Sequence, residues 1–159
     1  MRLVAATLAV LALSALLAGC GSASYTKRDF VARANAICAS TLQDTRAIAP
    51  PSFSHSPRQQ LSALAGYLAN VLPHVQSEAD QLRALRRPPQ DAHDRAALAR
   101  YLAALAGAVV DFRELAAAAK RGDEQGVASA ETALRSSPVA SLAASYGLAS
   151  CAAPGPTGV

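Results

Sequence analysis

SPRQQLSALAGYLANVLPHVQSEADQLRAL, residues 56–85, is the stretch that decides the fold class. Leu61, Leu64, Leu68, Val71, Leu72, Val75, Ala79, Leu82 and Leu85 recur mainly at spacings of three and four, which is the period of a helix with one apolar face. Ser56 reads as the N-cap and Pro57 as the first helical residue, a position whose N–H has no intrahelical partner in any case. Pro73 falls inside the pattern. It cannot donate to the carbonyl of Ala69 and crowds it. The apolar stripe continues in phase beyond the proline, so the expectation is one helix kinked at Pro73 rather than two helices. Arg86-Arg87-Pro88-Pro89 ends it.

The flanking stretches repeat the pattern. Thr26 followed by Asp29 is a capping box, and Phe30, Ala34, Ile37, Cys38, Thr41, Thr45 and Ile48 form one face of the helix it opens. Pro50-Pro51 closes that helix, and a Pro/Ser/His loop covers 49–56. Asp91 and Asp94 open a third helix with Leu98, Tyr101, Leu105, Val109, Phe112 and Leu115 on its stripe. Lys120-Arg121-Gly122 places cations in its last turn and a glycine at its exit. Asp123 caps a fourth segment, which Ser136-Ser137-Pro138 interrupts before Val139, Leu142, Ala143 and Tyr146 resume it; Gly147 begins the exit. Short connections between long amphipathic helices favour antiparallel neighbours. The expected fold is therefore all-α, an up-down four-helix bundle over residues 26–151 with a kinked second and a broken fourth helix. Residues 152–159 read as a disordered tail.

Before the bundle stands a leader. Met1-Arg2 is a minimal basic start, and Leu3–Leu17 is an apolar run short of the roughly 20 residues that span a bilayer. Leu17-Ala18-Gly19-Cys20 reads as a lipobox. On that reading residues 1–19 are a lipoprotein signal peptide, Cys20 is the acylated first mature residue, and 20–25 is a flexible tether. Two acyl chains on one residue give lasting anchorage where one chain gives little. The expected location is the cell membrane, lipid-anchored and facing outside the cytoplasm. An uncleaved signal anchor with an incidental cysteine is the alternative. Gly21, not Asp, follows Cys20, so the aspartate rule of two-membrane bacteria says nothing about sorting.

Loss of Arg2 with the leader leaves 14 basic and 11 acidic residues, a net charge of +3 that is too mild and too evenly spread for nucleic-acid binding. Three cysteines less Cys20 leave Cys38 and Cys151. Outside the cytoplasm two remaining thiols most simply pair, closing a loop of over 100 residues worth roughly 4–5 kcal/mol of chain entropy. Two free, buried thiols are the alternative. Cys38 lies near the middle of the first helix. A straight fourth helix would overshoot it, so the break at 136–138 is expected to let the last segment turn and bring Cys151 to Cys38.

Phe30 with Ala34-Asn35-Ala36-Ile37-Cys38 near the mature start, and Tyr146-Gly147-Leu148-Ala149-Ser150-Cys151 near the end, resemble a group of small actinobacterial lipoproteins. The Leu85–Pro88 segment and the Gly122-Asp123 junction fit the same layout. The resemblance implies a lipid-anchored helical domain with paired cysteines, and carries over no catalytic residue.

Little chemistry is written into the chain. His55, His74 and His93 form no i,i+4 pair and no Cys/His cluster, so no metal site and no cofactor are expected. Glu78 and Asp80 are near neighbours that point apart; with Asp44, Asp111 and Glu114 they read as solvated carboxylates. No nucleophile elbow or glycine-rich phosphate loop is present. Asn35 and Asn70 sit beside stripes and read as boundary residues, either of which could hydrogen-bond across the bundle or line a cavity. Lys27, Arg28, Arg83, Arg86 and Arg87 fall at the end of the bundle nearest the tether. They read either as favourable charge at a helix end or as a basic patch facing anionic headgroups. The expected function is non-enzymatic: a binding module for an envelope protein or a small apolar ligand, with a pocket opened by the kink at Pro73. A structural or assembly spacer with a dry, packed core is the alternative, and a hydrolase or metalloenzyme the third possibility.

Overall fold

The computed structural model describes residues 24–52 and 56–154. The leader, Cys20, the first part of the tether, His55 and the last five residues lie outside the described residues. Five helices follow in order: α1 Lys27–Arg46, α2 Pro57–Ala84, α3 Ala92–Arg121, α4 Glu124–Arg135 and α5 Val139–Tyr146. No strand occurs among the described residues.

The helix limits follow from local chemistry. The Thr26 hydroxyl accepts from the Asp29 N–H at 3.2 Å, and the Asp29 carboxylate accepts from the Thr26 N–H at 2.8 Å, completing the capping box. Those bonds from Thr26 hold the Asp29 carboxyl below the usual carboxylate range. Asp91 accepts from the Asp94 N–H at the start of α3, which lowers the Asp91 pKa in the same way. Gly122 ends α3 with φ 71°, in the left-handed region that glycine enters at no steric cost. Asp123 caps α4 through the Gly126 N–H at 2.9 Å. Helix α2 runs unbroken through Pro73. The break expected at 136–138 is present: Ser136 caps the end of α4, and α5 begins after Pro138.

The helices form the expected bundle, α4 and α5 together taking the fourth position. α2 packs on α1 and α3, and α3 carries both α4 and α5. Lys27 at the start of α1 bonds Asp94 at the start of α3, so α1 and α3 rise from the same end. The interior divides into two clusters. Phe30, Ala34, Cys38, Leu82, Tyr101 and Tyr146 belong to the one nearest that end; Tyr67, Leu68, Val71, Leu115, Ala118 and Val127 belong to the other. Val75 packs against both.

Cys38 and Cys151 are bonded, with their Cα atoms 5.1 Å apart. The route to that bond differs from the expectation. Helix α5 carries Tyr146 up to Phe30, where the two rings meet edge-on with centroids 6.0 Å apart. The chain then turns back through Gly147, whose φ is 95°, and buries Leu148. Asn35 fixes this reversal: its Nδ2 donates to the Gly147 carbonyl at 3.4 Å, and its Oδ1 accepts from the Ser150 N–H at 2.9 Å. The break alone does not place Cys151. The glycine turn does, with Asn35 as its clamp.

Two boundaries shift. Tyr25, assigned to the tether, is half-buried and packs on the first cluster. The guanidinium groups of Arg33 and Arg86 stand 5.2 and 5.5 Å from its ring centroid, so an aromatic ring between cations holds the chain to the bundle one residue before the cap. At the other end, Ala152 and Ala153 read as tail in the sequence. Both are half-buried, and their N–H groups donate to Leu148 and Ser150. The ordered chain therefore extends past Cys151.

Candidate functional site

An apolar cleft of about 330 Å³ lies between the two core clusters. It exists because α1 turns one face to α2 while α4 and α5 pack on α3, leaving the second half of α1 separated from the helix break. Cys38, Thr41, Leu42 and Thr45 of α1 form one wall, and Val71, Val75 and Glu78 of α2 the next. Leu105, Ala108 and Phe112 of α3 lie behind them. Leu134, Arg135, Ser137, Val139 and Ala140, around the break, and Ser150, Cys151 and Ala153, in the C-terminal turn, complete the lining. The break and the disulfide thus both border the cleft.

The polar groups in this lining have distinct roles. Thr45, a buried polar residue, turns its hydroxyl to the Thr41 carbonyl at 2.8 Å and is satisfied within α1. The Thr41 hydroxyl stands beside the Glu78 carboxylate across the cleft wall. Burial pushes the Glu78 pKa up, against the smaller effect of that hydroxyl. Among the described residues no lysine, arginine or histidine lies within ion-pair distance of Glu78. Next to it the Tyr101 ring is buried and its hydroxyl has no hydrogen-bond partner among the described residues. Burial raises the Tyr101 pKa, and the nearby Glu78 charge raises it further.

Compared with known proteins, the chain matches no family model, no curated protein and no solved structure.

The residues singled out in the sequence fall into four groups. Cys38 and Cys151 are bonded and line the cleft. The basic residues gather where α1 begins and α2 ends, but several are already engaged. Lys27 bonds Asp94 at 2.8 Å and stands 4.7 Å from the Tyr146 ring centroid. Arg83 pairs with Asp80 at 3.0 Å. Arg86 lies over Tyr25, while Arg87 lies over Phe30 and donates to the Arg83 carbonyl. Arg28 is exposed. These are surface interactions worth at most about 1 kcal/mol each. Of the two asparagines, Asn35 bridges to the C-terminal turn, whereas Asn70 bonds only Gly66 one turn back on its own helix. His74 lies 3.9 Å from Asp44 on the outer surface, and His93 is exposed. No group of three or more His, Cys, Asp or Glu side chains among the described residues could hold a metal.

Glu78 is the correction. Read from sequence as a solvated carboxylate, Glu78 is half-buried and lines the cleft, while Asp80 is exposed as expected. The signal was present: Glu78 is seven residues from Val71 and three from Val75, which puts it on their side of α2. A stripe marks the inward face but does not tell where an opposing helix fails to cover it.

Proposed function

We propose that this chain is a lipid-anchored protein on the outer face of the cytoplasmic membrane, held by acylated Cys20, whose helical domain binds a small apolar ligand in the cleft and catalyses no reaction. The lipobox and the resemblance to small actinobacterial lipoproteins support the anchorage. Among the described residues no helix is long and apolar enough to cross a membrane. The observation that carries the binding role is the cleft itself, with predominantly apolar walls and a volume near the lower end of the roughly 300–1,000 Å³ range of small-molecule sites. A spacer or assembly support gains stability from a filled, close-packed interior, so an apolar gap between two otherwise buried clusters favours ligand binding. An envelope protein partner has less support: Val110 is the single large exposed hydrophobic among the described residues, and one such residue makes no docking patch. Val71 and Val75 flank Pro73, and a bend at that proline is the device that would hold this wall open.

The test is saturable fluorescence enhancement of the neutral apolar probe N-phenyl-1-naphthylamine. One site per chain is expected. Ala140→Phe, at an exposed position on the cleft lining, weakens it at least about tenfold. Binding that the substitution leaves unchanged would overturn the assignment of the cleft.

A further inference from the structure

Glu78 sets the chemistry of the cleft. Two charged residues line it. Arg135 is exposed at the end of α4, where Glu131 at 3.6 Å and the Thr132 hydroxyl at 3.1 Å engage its guanidinium on its own helix. Glu78 instead faces Thr41, with Val75 and Val71 along the same wall. A carboxylate can accept about four hydrogen bonds; the nearby Thr41 hydroxyl is the one side-chain donor that favours the Glu78 charge among the described residues. With no cation in ion-pair range and apolar neighbours around it, the charge is under-compensated, and burial penalises it. A cationic ligand group removes that penalty. A neutral group removes part of it, and an anion adds to it.

Resting on the reading of the cleft as a ligand site, we propose that its ligand is an apolar monoamine, a single alkyl or aryl chain carrying one protonated amino group. The ammonium sits on the Glu78 carboxylate beside Thr41, and the chain runs past Val75 and Val71 towards Phe112. The seven residues from Glu78 back to Val71 span about 10 Å of helix, the length of one medium alkyl chain. The cleft volume of about 330 Å³ suits one such chain rather than a two-chain lipid.

Isothermal titration of the full chain at pH 7 with n-octylamine, n-octanol and octanoate tests the proposal. Octylamine is expected to bind at least about tenfold more tightly than either of the others, as a charge-assisted hydrogen bond predicts. Glu78→Gln brings the amine down to the level of the alcohol and leaves octanol binding within about twofold. Equal affinity for amine and alcohol, a preference for octanoate, or an amine preference that survives in Glu78→Gln each overturn the monoamine assignment while leaving a ligand cleft in place. No binding of any of the three overturns both this inference and the reading it rests on. The three-ligand comparison on the unaltered protein needs no variant, so it stands whether or not Glu78→Gln folds.

Discussion

Reducing the Cys38–Cys151 bond is expected to cost the domain about 4.8 kcal/mol. The bond joins residues 113 apart, and the chain-entropy relation gives about that figure at 25 °C for a loop of this length. The loss falls on the unfolded state, because the folded state keeps its other ties at the same place. Asn35 still holds Gly147 and Ser150, Leu148 remains buried, and Tyr146 still meets Phe30. Reduction removes no side-chain volume, so no cavity contribution confuses the comparison. The assay is urea unfolding followed by far-UV circular dichroism, with and without reductant. At a slope of about 1–3 kcal/mol per molar urea, the midpoint should fall by roughly 1.6–4.8 M. The slope itself should rise, since an open chain exposes more surface than a looped one. A midpoint that moves by less than about 0.5 M, with an unchanged slope, refutes the argument that this bond acts by restricting the unfolded chain.

Three further outcomes follow from the same geometry. Asn35→Ala leaves the half-buried Ser150 N–H without its acceptor and should destabilise by about 1–3 kcal/mol, with hydrogen exchange rising first across residues 147–153; protection unchanged there would remove Asn35 from its role as clamp. Gly126→Ala places a Cβ against the Asp123 carboxylate that caps α4 and 3.0 Å from the Ala118 Cβ, and thermal unfolding should report a loss of about 1–3 kcal/mol from overpacking. For Glu78 the sign runs opposite to that of a salt-bridged carboxylate. Its folded pKa is raised by burial, so above the ordinary value the folded state holds more proton than the unfolded one, and stability falls as pH rises through that window. Glu78→Gln should therefore flatten the decline of Tm from pH 4.5 upward and raise Tm at pH 7. A Tm at pH 7 below that of the parent would contradict the burial argument.

The helices were legible because their ends are chemical. Thr26, Asp91 and Asp123 cap through their own side chains, and Gly122 and Gly147 leave through the left-handed region. The break at Ser136-Ser137-Pro138 and the pairing of Cys38 with Cys151 were also readable, from a proline and from cysteine count. What was not legible depends on which faces lack a partner. Tyr25 looks like tether in sequence, because nothing local shows that Arg33 and Arg86 will sit on either side of its ring. Ala152 and Ala153 read as tail in sequence because their hydrogen bonds depend on the Gly147 turn, which Asn35 holds from more than 100 residues earlier. The cleft itself arises because α4 and α5 follow α3 while α1 follows α2, and apolar periodicity is the same whether a facing helix is near or far. Glu78 was misplaced for that reason.

Native mass spectrometry of the protein extracted from its own membrane tests the proposed tether and ligand site most directly. The predicted species is residues 20–159 with acyl chains on Cys20, two hydrogens heavier after reduction, together with a non-covalent mass that leaves on collisional activation and is absent from Ala140→Phe. An unprocessed, unacylated chain of residues 1–159 whose mass is the same before and after activation would contradict it.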